Sequence, residues 1–176
     1  SGGLRYFNLG TINLTNDQGL DIGTRKPNEF AFDLGYSRLF GENFSGSILF
    51  RLIYSDIAGG TGNLNGLEYS PGFSVASDLS FYYRKPLQID RKDAELAIGM
   101  NISNIGTKLS YSDTDDKEFI PTNMRFGGRF SMDLDEYNSL GITVDLNKLL
   151  VPTPPVRDED GNVIEGKDDN VGTIQG

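Results

Sequence analysis

Apolar and polar residues alternate one for one along most of this chain. That period of two fits a β-strand with two unlike faces and excludes an amphipathic helix, whose apolar residues recur every three or four positions. From Phe30 the even positions run Phe30, Phe32, Leu34 and Tyr36, against Glu29, Ala31, Asp33, Gly35 and Ser37. The next run sets Ile48, Phe50, Leu52 and Tyr54 against Ser47, Arg51 and Ser55, with Leu49 and Ile53 blurring the contrast. Phe73, Val75, Leu79, Phe81 and Tyr83 oppose Ser74, Ala76, Asp78, Ser80 and Tyr82. Leu96, Ile98, Met100 and Ile102 oppose Glu95, Ala97, Gly99, Asn101 and Ser103. Met124, Phe126, Phe130 and Met132 oppose Arg125, Gly127, Arg129, Ser131 and Asp133, and Leu140, Ile142, Val144 and Leu146 oppose Gly141, Thr143, Asp145 and Asn147. With a less regular opening strand from Leu4 to Thr15, about seven strands are predicted.

Two further patterns turn strands into a transmembrane barrel. Each run extends over roughly 9–12 residues, enough to cross a bilayer obliquely and longer than the strands of most soluble sheets. Tight turns near 41–44, 87–94 and 135–138 alternate with longer segments near 16–28, 56–72, 112–121 and 150–176, which places short turns at one end and long loops at the other. A Greek-key sandwich has no reason to sort its loops in that way. Low mean hydropathy, −0.35, does not argue against membrane residence, because only every second residue of a barrel strand meets lipid. No run approaches the length of a membrane-spanning helix.

Composition removes several kinds of chemistry. The 176 residues contain no His and no Cys, so an imidazole base, a thiolate nucleophile, a disulfide framework and a zinc site of the usual donors are all excluded. A net charge of −9 leaves no basic face for nucleic acid. No cofactor and no catalytic residue are expected.

In a barrel the polar rows face the lumen. They carry both signs of charge, and pairing through the turns is expected to set Arg129 opposite Asp145 and Asp33 opposite or diagonal to Arg51, as cross-strand ion pairs. An odd strand count below eight does not close a single-chain bacterial barrel, so the segment reads as part of a larger one.

The remaining motifs have plain readings. Gly59-Gly60-Thr61-Gly62 precedes a strand and lacks the Lys and helix of a phosphate cradle, so it reads as a surface loop. Asp113–Asp116 and Asp158–Asn162 resemble calcium clusters, but the glycine of the second stands at the wrong place for an EF-hand, and Asp160-Gly161 reads as a hairpin tip. Pro152, Pro154 and Pro155 end the last strand and stiffen the exit into an acidic loop. Residues 1–150 are thus expected to hold the strands and 151–176 the Pro-rich exit and extracellular loop. Pro152, Pro154, Pro155, Asp158, Glu159 and Asp160 are the candidate partner-binding residues.

Several phrases carry a family resemblance: Arg5-Tyr6-Phe7-Asn8-Leu9-Gly10, Pro27-Asn28-Glu29-Phe30-Ala31, Glu42-Asn43-Phe44-Ser45-Gly46 and, most specifically, Asn147-Lys148-Leu149-Leu150-Val151-Pro152-Thr153-Pro154-Pro155. They resemble the PorV family of outer-membrane proteins of the type IX secretion system, itself similar to FadL-type transporters. The resemblance implies an all-β, FadL-like antiparallel transmembrane β-barrel of about 14 strands when complete, with about seven in this segment. It implies residence in the outer membrane of a gram-negative bacterium, among outer-membrane lipid. The implied partners are secreted cargo with C-terminal signal domains, the translocon barrel and a surface attachment complex containing a sortase. Two alternatives stand beside it: a FadL-like transporter of hydrophobic small molecules, which calls for an apolar lumen pocket, and a soluble β-sandwich adhesin, which calls for the apolar rows to face each other across a core.

Overall fold

The computed structural model describes residues 1–60, 62–64, 67–111, 118–153, 155–158 and 162–167. Every regular element among the described residues is a strand: β1 (Gly2–Asn8), β2 (Ile12–Thr15), β3 (Asp21–Arg25), β4 (Asn28–Leu39), β5 (Phe44–Asp56), β6 (Gly62–Leu64), β7 (Leu67–Tyr69), β8 (Gly72–Ile89), β9 (Lys92–Gly106), β10 (Asn123–Asp133), β11 (Ser139–Leu149), β12 (Val156–Arg157) and β13 (Val163–Glu165). Seven of them form one antiparallel sheet in the order β1-β4-β5-β8-β9-β10-β11, and β2–β3, β6–β7 and β12–β13 are separate hairpins. This is a partial antiparallel β-barrel. Because neighbouring strands run in opposite directions, the connections 9–27, 57–71 and 107–122 leave from one end of the sheet, and those at 40–43, 90–91 and 134–138 from the other.

The opening segment differs from the single strand expected over Leu4–Thr15. β1 pairs with β4 from Gly2↔Leu34 to Asn8↔Asn28 and then stops, while Ile12–Thr15 pairs with β3 in its own hairpin. The break lies at Gly10, whose φ of 81° takes the chain out of extended geometry. The tight turn expected over 87–94 shrinks to Asp90 and Arg91, both left-handed (φ 50° and 65°), as a two-residue primed hairpin requires. β8 and β9 consequently reach 18 and 15 residues.

The apolar rows lie on the exposed side of the strands. Phe32 is 45% exposed, Phe81 37% and Ile98 36%, and none of them enters a shared interior. In β4, β5, β8 and β9 the small and polar rows supply the buried residues, with Asp33, Arg51, Ser55, Ser74, Ala76, Ala94 and Ala97 all covered, while β11 is exposed on both faces. A sandwich packs its apolar rows against each other, so this inverted distribution excludes that alternative.

Contacts divide the chain into two compact units. The first comprises Ser1–Leu34, Phe50–Ala76 and Gly106–Ile120, and its buried apolar residues are Ala76, Leu109 and Ile120. Leu109 and Ile120 belong to the connection 107–122 and are held by an isolated bridge between Leu109 and Glu118. At Gly106 an added Cβ would collide with the carbonyl of Val75 and the Ile120 side chain, so only glycine admits that approach. The second unit comprises Gly35–Leu49, Ser77–Ile105 and Pro121–Gly176. Its aromatic cluster joins Phe40, Phe44 and Phe81 at centroid spacings of 5.9 and 6.0 Å. Asn104 has a left-handed backbone (φ 57°) inside β9: its N–H donates to Asp78 Oδ1, its Nδ2 to the Pro121 carbonyl, and its own carbonyl accepts from the fully buried Thr122 hydroxyl at 2.7 Å. A strand residue in that conformation interrupts the alternation, as a bulge does.

Candidate functional site

In the first unit the polar row is closed upon itself. Arg51 Nε donates to Asp33 Oδ1 at 2.7 Å and Arg5 Nη2 to Asp33 Oδ2 at 2.5 Å, so one buried carboxylate holds two guanidinium groups. Ser55 Oγ donates to Glu29, and the Tyr111 hydroxyl lies 2.9 Å from the same oxygen. Since the serine proton is already given to Glu29, the phenol is the donor to Ser55. Burial pushes the Tyr111 phenol above its ordinary range, and the neighbouring Glu29 and Glu118 carboxylates push in the same direction. The Tyr111 carbonyl accepts from Ser70 N at 2.9 Å, so this residue ties the connection 107–122 to β5 and to the segment after β7.

In the second unit the polar face of β9, β10 and β11 is built of cross-strand rows. Asn101, Arg125 and Asn147 form one, Gly99, Gly127 and Asp145 the next, and Ala97, Arg129 and Thr143 the third. The glycines and alanine leave a floor without side chains, and the resulting hollow has a volume of about 410 Å³, bordered by Ser80, Tyr82, Asn101, Arg125, Arg129 and Asp145. Asn101 Nδ2 donates to Ser80 Oγ at 2.7 Å, which fixes one wall.

Arg129 and Asp145 are not opposite one another. Thr143 stands across from Arg129, and Gly127 across from Asp145, so the expected register is displaced by an even step and the two charges sit diagonally on the same face. The cause is the turn: Asp135 starts the loop 134–138 by accepting from Tyr137 N at 2.9 Å and Asn138 N at 3.0 Å, so the last pair is Asp133↔Ser139. Asp145 lies over Gly127, where an added Cβ would strike its carboxylate, and Arg129 lies toward Gly141, 3.6 Å from where a Cβ would stand. Each charge leans onto a neighbouring glycine, and no ion pair joins Arg125, Arg129 or Asp145 to a partner among the described residues.

The Pro-rich exit is only partly described. Pro152 is buried and Pro155 half-buried, Asp158 Oδ1 accepts from Asn162 N at 2.8 Å, and Pro154, Glu159 and Asp160 lie outside the described residues. The Asp160-Gly161 tip lies outside them as well, although the flanking β12 and β13 pair. So does Asp113–Asp116. Among the described residues no group of three or more acidic side chains is placed to hold a metal ion. The Gly-rich segment after β5 is anchored by Asp56, whose carboxylate accepts from Gly60 N at 2.8 Å. Alternation gave no signal for the Tyr111–Ser55–Glu29 chain, because Tyr111 stands in a loop without a period.

An all-β antiparallel sheet with apolar rows on the exposed side of its strands and long connections at one end defines a protein of the β-barrel class. A scan against protein families matches residues 1–156 to Type IX secretion system protein PorV, and the chain belongs to that family. It is a component of the type IX secretion system. Comparison with curated proteins finds no match.

Proposed function

We propose that this chain is an outer-membrane barrel of a gram-negative bacterium that handles protein: it binds secreted cargo through the cargo's C-terminal domain, contacts the translocon barrel and passes cargo to the surface attachment complex with its sortase. The barrel performs no covalent step in this reading. The observation that carries it, beside the family match, is the exposed apolar row, which has lipid as its natural neighbour and leaves the polar face and the long connections for water and protein. Residues 1–150 supply the spanning wall, with Asp33, Arg51, Arg129 and Asp145 toward the lumen, and 151–176, with Pro152, Pro154, Pro155, Asp158, Glu159 and Asp160, an extracellular contact.

Transport of hydrophobic small molecules is the second reading, supported by Phe81, Tyr82 and Met100 in the lining of the hollow of the second unit, and a bound apolar ligand inside the barrel would favour it. The test is co-purification from detergent extracts of variants lacking 56–72 or 150–176. Loss of the translocon or cargo with either deletion is expected; retention of both partners by both variants overturns the assignment of the loops.

A further inference from the structure

We propose that the hollow on the polar face of β8–β11 is a groove for an extended peptide whose side chains on one face run acidic, basic, acidic. This rests on the reading that the polar face, not the apolar one, meets protein. Arg125, Asp145 and Arg129 occupy three successive cross-strand rows, with Asp145 laid over the middle one at Gly127. Rows on one face of a strand are two residues apart, about 6.6–6.8 Å, which is also the spacing between same-face side chains of an extended peptide. A peptide lying along β10 therefore presents residues i, i+2 and i+4 to the three charges in register.

The charges are available for this. The chain pairs arginine with aspartate on the same sheet at Asp33, yet here the diagonal neighbours Arg129 and Asp145 turn onto glycines and leave each other unneutralised. Ala97, Gly99 and Gly127 clear the floor beneath a ligand backbone, and Asn101 and Thr143 border it with hydrogen-bonding groups. A single anion at the centre is opposed by the Asp145 carboxylate, whereas a central ammonium between two flanking carboxylates satisfies all three groups.

The experiment uses the intact protein in detergent micelles and a fluorescein-labelled peptide, Glu-Ala-Lys-Ala-Glu, read by anisotropy at low salt. Saturable binding is expected, weakened about tenfold by R125Q and by R129Q, the size of one charge-assisted contact of about 1.4 kcal/mol. D145N is expected to remove the preference for Lys over Gln at the central position. The inverted peptide Lys-Ala-Glu-Ala-Lys, and Glu-Lys-Glu with its charges on alternate faces, are expected not to bind. Equal binding of either control, insensitivity to the arginine variants, or displacement by free glutamate at the peptide's own concentration overturns the proposal. Heat-modifiable gel migration verifies that each variant is folded. Cargo co-purification that persists without peptide binding removes this inference and leaves the proposed function standing.

Discussion

The two units use the same kind of polar row to opposite ends. In the first, Asp33 is bracketed by Arg5 and Arg51, and Ser55 joins Glu29 to Tyr111, so its ionic and hydroxyl groups satisfy one another. In the second, Asp145 lies over Gly127, Arg129 lies toward Gly141 and Arg125 stands between Asn101 and Asn147, and no ion pair joins any of the three to a partner among the described residues. What separates them is whether an opposite charge lies within reach on a neighbouring strand: Asp33 stands across from Gly3 and still receives Arg5 and Arg51, whereas Asp145, across from Gly127, receives neither Arg125 nor Arg129.

That contrast breaks most readily at Asp33. Replacing it by Ala takes the shared carboxylate from Arg5 and from the covered Arg51, and a loss of about 3–5 kcal/mol is expected, measured by urea unfolding of the protein in lipid vesicles. A smaller effect is expected at Gly106→Ala, about 1–3 kcal/mol, because the new methyl meets the Val75 carbonyl, which cannot move without disturbing the strand. Gly127→Ala meets only the movable end of Asp145 and is expected to fall within about 0.5 kcal/mol of the parent in the same assay. R125Q and R129Q are expected to leave the unfolding midpoint unchanged within a similar margin. A stability loss at Arg125 as large as that at Asp33 would erase the distinction between the units.

The smallest expected effect is a pH dependence in the turn of the second unit. The Asn138 side chain, followed by Tyr137 N–H and Asn138 N–H, holds the Asp135 carboxyl below its ordinary 3.8. A depressed pKa in the folded state stabilises at pH above the unfolded value, and that contribution fades as pH falls from about 3.8 through the lower folded value. Unfolding midpoints taken between pH 5 and pH 2 are expected to drop less steeply for D135N than for the parent. Parallel curves would show that the turn is held by its backbone alone.

Which side of each strand is covered was legible, because alternation reports the face directly: Phe32, Phe81 and Ile98 stand where their positions in the rows put them. Register was not, since it depends on where a turn begins. The turn expected near 135–138 runs over 134–138, and its closing pair Asp133↔Ser139 sets Arg129 beside Thr143, two residues from the Asp145 expected there. Nor does any periodic signal announce a left-handed asparagine, so the irregularity at Asn104, held by Asp78, Pro121 and Thr122, was invisible. The split of Leu4–Thr15 had a marker in Gly10, but one glycine among 22 in the chain does not by itself identify a break. The hollow escaped notice for a related reason: it is made by absent side chains at Gly99 and Gly127, and becomes a place only when the strands are aligned.

The outward placement of Leu34, Phe50, Phe73 and Ile142 also bears on how such a chain comes into being. These residues have no protein to hide behind, so the finished sheet has no stable existence in water, and reaching the bilayer and acquiring tertiary structure become a single event. Until then every second residue of the newly made polypeptide stays uncovered, and any delay exposes sticky strands to one another.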